Sequence, residues 1–106
     1  MMVTLAEIKQ LIKEGYSEAF QFRKILAAAV TAERLTEQKE DICMMRVKAF
    51  STNGGLIYVG FNSGLSAANG YELAVSEAID IYIDRADKVW ICTNNATDGV
   101  QVICYK

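Results

Sequence analysis

From residue 42 onward, apolar and polar side chains alternate with a period of two. Cys43, Met45, Val47 and Ala49 interleave with Met44, Arg46, Lys48 and Phe50. Successive side chains of a strand point to opposite faces, so this pattern predicts a half-buried strand. Ser51-Thr52-Asn53-Gly54-Gly55 then supplies turn chemistry, because Asn and Gly tolerate positive φ. Leu56–Phe61 reads as a second strand, and Asn62–Gly70 as a polar loop ending in the turn signal Asn69-Gly70. Tyr71–Leu73 fits a short strand. Ile79, Ile81 and Ile83 alternate with Asp80, Tyr82 and Asp84, which gives one buried and one wet face. Asp84–Asp87 turns the chain. Val89, Ile91 and Thr93 alternate with Lys88, Trp90 and Cys92, and Asn94–Gly99 turns it again. Val100, Val102 and Cys104 form the inward face of a last strand.

The first 40 residues follow another rule. Thr4 with Glu7 matches a capping box, and Leu5, Ile8, Leu11 and Ile12 form one helical stripe ahead of Gly15, a C-terminal stop. This predicts a helix over 5–14. A helix that short is marginal alone, so its stripe must dock on its own domain or on another chain. Residues 16–40 are open between helix and strand: Ser17 could cap a second helix through Glu18, Phe20 and Ile25, while Ala27–Val30 fits either state. Thr36–Asp41 reads as a loop.

Five or six short strands joined by Gly, Asn and Asp turns predict a mainly β domain, a small antiparallel sandwich or barrel of jelly-roll or immunoglobulin-like type. The expected organisation is an N-terminal helical arm over 1–26 and a β domain over 27–106.

Composition narrows the function classes. The chain has 106 residues, enough for one domain, and is 52% hydrophobic, too apolar for a disordered tail. Net charge is −2 with scattered cations, which argues against nucleic acid or anionic membranes as partners. No apolar run reaches the ~20 residues of a membrane span, and the first residues lack signal-peptide features. The expectation is a protein made in a cytoplasm. Cys43, Cys92 and Cys104 are odd in number and outside any C-x-x-C, so they read as reduced, buried thiols.

The chain contains no His, which removes the usual general base and the commonest zinc ligand. Asp80, Asp84 and Asp87 lack the spacing of a calcium loop and read as a wet strand face and turn. Gly60–Gly64 lacks the Lys of a phosphate-binding loop, and Ser63, Ser66 and Ser76 have no partner base. No catalytic residue, cofactor or metal is therefore expected. Trp90 is open between a second core layer and an exposed contact. Tyr58, Tyr82 and Trp90 could line one sheet face as a sugar-stacking platform.

The order Met45-Arg46-Val47-Lys48-Ala49, Asn53-Gly54-Gly55, Ile57-Tyr58-Val59-Gly60, Asn69-Gly70-Tyr71-Glu72-Leu73, Ser76-Glu77-Ala78-Ile79 and Lys88-Val89-Trp90-Ile91 resembles a small β domain found repeatedly in structural proteins of tailed-phage virions. The resemblance covers roughly residues 42–105. Ala74–Glu77 stands where that family has a Pro-Gly-Glu turn, and residues 1–26 lie outside the shared pattern. The resemblance implies a virion protein assembled in the host cytoplasm: a capsid decoration or cement protein, or a tail, fibre or head–tail adaptor component. Its implied partners are the major capsid protein or another virion protein, and further copies of itself as a homo-oligomer. On that reading Leu5, Ile8, Leu11 and Ile12 make the arm contact, and Phe61, Asn62, Leu65 and Asn69 of the Phe61–Gly70 loop make an exposed contact. A surface module binding carbohydrate is the alternative of another class.

Overall fold

The computed structural model describes residues 19–106. Among the described residues eight strands run in chain order: β1 (Phe20–Ile25), β2 (Glu33–Arg34), β3 (Met44–Ala49), β4 (Ile57–Gly60), β5 (Tyr71–Leu73), β6 (Ala78–Ile81), β7 (Trp90–Thr93) and β8 (Gly99–Tyr105). They form two four-stranded sheets, ordered β1-β8-β3-β6 and β2-β7-β4-β5. All pairings are antiparallel, and they nest: β1 with β8, β2 with β7, β3 with β6, β4 with β5. The two sheets are separate layers, so the sandwich is realised and the closed barrel is not.

Period-two alternation decides what lies between the layers. Met45, Val47 and Ala49 of β3 face the same side as Val100, Val102 and Cys104 of β8, and all six are buried. Ile57, Val59, Leu73, Val89 and Ile91 of the other layer complete the same apolar cluster. Each large aliphatic side chain buried there is worth roughly 1.5–3 kcal/mol relative to exposure. Cys92 and Cys104 are buried as expected, but Cys43 is exposed: β3 starts one residue later, at Met44.

Within the stretch 1–26 expected as a helical arm, Phe20–Ile25 is a strand and not a helix. Phe20–Ile25 lies in β1, zipped to β8 over six residue pairs from Phe20–Cys104 to Ile25–Gly99. These residues pair with the sheet, and the second helix that Ser17 could cap does not form over Phe20–Ile25. Phe20, Phe22 and Lys24 share the inward face with Cys104, Val102 and Val100. Lys24 sits at the rim, where its amine pairs with the Glu33 carboxylate of the other sheet at 3.1 Å. That ion pair closes one open side of the sandwich. The predicted helix over 5–14 lies outside the described residues.

One end of the sandwich is fastened by polar groups. The Asp98 carboxylate, 6% exposed, accepts the Gly54 N–H at 2.9 Å and the Gly55 N–H at 3.0 Å. Asn53 bonds Gly99 in both directions. These contacts tie the β3–β4 turn to the β7–β8 turn. Among the described residues the glycines there do not use positive φ; the left-handed positions are Val30, Ser76 and Thr97. Gly99 is required for space, because a Cβ there would collide with the Lys24 carbonyl, whereas at Gly55 it would meet the movable end of the exposed Asn95 side chain.

Candidate binding surface

The loop between β4 and β5 folds back over the outer face of its own sheet. On that face Tyr58 of β4 and Cys92 of β7 lie side by side in register. With Leu65 from the loop they form a second buried cluster, against which Ala32, Leu56 and Trp90 pack. Leu65 is the pin. A Cβ on Gly60 would stand 2.6 Å from Leu65 Cδ1, and one on Gly70 would stand 2.8 Å from it and 2.7 Å from Tyr58 Cβ. Both ends of the loop are therefore glycine where Leu65 seats.

Polar groups within the loop are bonded to each other. The Asn62 Oδ1 accepts the Gly64 N–H at 2.9 Å, and the Asn69 Oδ1 accepts the Ser66 N–H at 2.8 Å. Asn69 Nδ2 donates to the Gly64 carbonyl at 3.1 Å. The Leu65 N–H and Gly70 N–H donate to the Asn62 and Ser66 carbonyls. Side chains that satisfy local backbone groups in this way hold a loop in one shape. What the loop displays is Phe61, 62% exposed, and beside it Tyr71 of β5, 60% exposed. Together they flank a cleft of about 340 Å³.

The four loop residues expected to make a contact thus separate. Phe61, Asn62 and Asn69 are exposed, whereas Leu65 is buried and positions the others. Tyr71, which joins Phe61 at the cleft, escaped the sequence reading, although its place directly after the Asn69-Gly70 turn was a signal. Leu5, Ile8, Leu11 and Ile12 lie outside the described residues.

The three aromatic residues expected on one sheet face do not form a platform. Tyr58 is buried under the loop. Trp90 is half-buried beside it, with the Arg34 guanidinium 5.2 Å from its ring centroid. Tyr82 is 74% exposed but follows β6, an edge of the opposite sheet. Trp90 is accordingly a second-layer residue capped by a cation.

The three aspartates do not converge either, since each has its own cation. Asp80 takes Arg46 through two hydrogen bonds of 2.7 and 3.0 Å. Asp84 takes the Lys88 amine at 2.7 Å. Asp87, 4% exposed, takes Arg85 through bonds of 2.9 and 2.7 Å, with Arg34 at 3.9 Å. Hydrogen bonding to those cations holds all three carboxyls below the usual carboxylate range. Among the described residues no group of three or more Cys, Asp or Glu side chains is placed to hold a metal ion. Burial pushes the Cys104 thiol up to about 11, so it is no nucleophile at neutral pH.

No family model, curated protein or solved structure matches this chain.

Proposed function

We propose that this chain is a non-catalytic structural protein of a tailed-phage virion, a decoration or cement domain that binds and stabilises the head shell. The observation that carries the reading is the nested pairing of eight strands in two sheets. This is the connectivity of a jelly roll, an architecture used by viral capsid and lectin domains. It sets a rigid body between loops that can be varied without disturbing the core. The resemblance over residues 42–105 supports the same reading.

In this role the work is done by burial at joints between subunits. Leu5, Ile8, Leu11 and Ile12, outside the described residues, are the proposed contact with a neighbouring chain, either the major capsid protein or a further copy in a homo-oligomer. A few hundred Å² of apolar surface per joint gives several kcal/mol at roughly 25 cal/mol per Å², before the cost of association. Repetition over a symmetric shell multiplies the effect.

Quantitative mass spectrometry of purified particles tests this. The expected result is a simple ratio of this chain to the major capsid subunit. About a dozen copies or fewer per particle, as for the vertex or tail positions of a shell built by symmetry, would instead assign a tail, fibre or adaptor role. Absence from the particles would overturn the virion reading.

A further inference from the structure

Among the described residues, the cleft between Phe61 and Tyr71 differs in its chemistry from the groove beside β1 and from the depression along Lys39–Cys43. The groove beside β1 includes Arg23 and Glu40, and the depression along Lys39–Cys43 includes Lys39, Glu40 and Asp41. No residue lining the Phe61–Tyr71 cleft carries a charge. Its walls are two exposed aromatic rings. Its inner surface is Val59, Gly60 and Leu65, of which Val59 and Leu65 are buried. Its rim carries the Asn62 and Asn69 amides. Asn69 uses both ends of its amide inside the loop, and Asn62 uses its oxygen on Gly64. The Asn62 NH₂ and the Tyr71 hydroxyl are the donors left for a ligand.

Each feature removes a class of ligand. Without a cation in the lining, a phosphate, nucleotide or acidic sugar would lose its hydration with nothing in return. Without a carboxylate, an ammonium or guanidinium group meets the same penalty. A purely apolar tail would leave the two donors unpaired and would lie in an open cleft. A neutral ligand with an apolar face for the rings and hydroxyls for the donors satisfies all the groups present. Pockets of small ligands span roughly 300–1,000 Å³, so a volume of about 340 Å³ suits a unit of one or two rings. The loop is already tied in its displayed shape, which lowers the ordering cost of binding.

We propose that this cleft is a binding site for a neutral saccharide, stacked against Phe61 and Tyr71 and hydrogen-bonded by Asn62. The site is distinct from the expected Tyr58, Tyr82 and Trp90 platform and shares no residue with it. The inference goes beyond the virion reading and stands without it, since a wrong copy number in particles leaves the cleft unchanged.

The test is a titration of the purified full chain, followed by ¹H–¹⁵N NMR. The probes are the methyl glycosides of glucose, galactose and N-acetylglucosamine, and maltose, at millimolar concentrations. The expected result is saturable shifts at Gly60, Gly64 and Tyr71. Phe61→Ala should weaken binding by about tenfold, while Trp90→Phe should leave it unchanged. Phe61 is 62% exposed, so Phe61→Ala should keep the rest of the spectrum; Tyr71→Ala provides a second, independent variant. The proposal fails if no glycoside gives a saturable shift, if the shifts map elsewhere, or if both variants bind normally. Binding of a neutral apolar peptide such as acetyl-Leu-Pro-Leu-amide at these amides, with no glycoside bound, would also overturn it and make the cleft a protein contact.

Discussion

Asn53 and Gly99 exchange two hydrogen bonds across the end of the sandwich: Asn53 Nδ2 donates to the Gly99 carbonyl at 2.9 Å, and the Gly99 N–H donates to Asn53 Oδ1 at 2.9 Å. One amide side chain thus serves as a strand partner for a residue 46 positions away. Asn53→Ala removes both bonds at a part-buried site and should destabilise by about 1–3 kcal/mol. Asn53→Asp keeps the acceptor but sets a carboxylate oxygen against the Gly99 carbonyl, so it should cost at least as much. Urea unfolding of the three proteins checks the order.

The glycines make a graded series. A Cβ at Gly99 meets the Lys24 carbonyl, with Ile25 Cα at 3.1 Å and Phe50 Cε2 at 2.8 Å. Backbone on that side cannot retreat without breaking the β1–β8 register. At Gly70 the obstacle includes Tyr58 Cβ, close to the main chain, whereas at Gly60 it is the tip of Leu65. Alanine should therefore cost most at Gly99 and least at Gly60, with a typical overpacking penalty of about 1–3 kcal/mol at Gly70. Thermal melts of the three variants would reject this account if Gly60→Ala proved the worst.

Val30 is 72% exposed at φ 61°, a region that a β-branched residue rarely enters. Its N–H is held to the Thr93 carbonyl at 2.7 Å, which fixes that conformation. Val30→Asn relieves the strain with little loss of burial. It should stabilise by about 1 kcal/mol and raise Tm. An unchanged or lower Tm would mean that the strain is not stored there.

Acid should unfold the domain through its paired aspartates. Arg46, Lys88 and Arg85 hold Asp80, Asp84 and Asp87 below their ordinary value of 3.8. A carboxyl lowered in the folded state binds fewer protons folded than unfolded. Its contribution is full above the ordinary value and is lost as pH falls through the lower folded value. Stability should therefore be flat down to about pH 5 and fall below pH 4. Asp87→Asn should be less stable at neutral pH, and its curve should be shallower in acid. Guanidinium midpoints across pH 3–7 measure both.

The three cysteines should react unequally. Cys43 is exposed, although its thiol lies 3.2 Å from the Tyr105 carbonyl, whereas Cys92 and Cys104 are buried. Ellman's reagent at neutral pH should titrate one thiol in the folded protein and three in denaturant. Fast labelling of Cys104 would contradict both its burial and its raised pKa.

How much of this was legible in the sequence depends on strand length and on what fills the inward positions. Met45, Val47 and Ala49, like Val100, Val102 and Cys104, announce themselves because every second residue is apolar and buried. In β1 the inward set is Phe20, Phe22 and Lys24, and a lysine at the rim breaks the apolar series. In β2 only two residues pair, too few to show any period. Turn glycines were legible as turns, but the crowding at Gly60, Gly70 and Gly99 by Leu65, Tyr58 and the Lys24 carbonyl is contained in no local pattern. The candidate site was half legible. A polar loop with Phe61 at its start could be read, but that Leu65 would turn inward and leave Phe61 beside Tyr71 depends on pairing between strands.

The central place of β8 also has a consequence in time. It is the last strand in chain order, yet it lies between β1 and β3, and its register begins with partners about eighty residues upstream. During synthesis β1 and β3 leave the ribosome as two bare edges, and the strand that joins them is the last to be translated. Premature pairing of those edges between nascent chains is the hazard this order creates. Lys48, on the solvent side of β3, places like charges where two such chains would meet before the layer is complete.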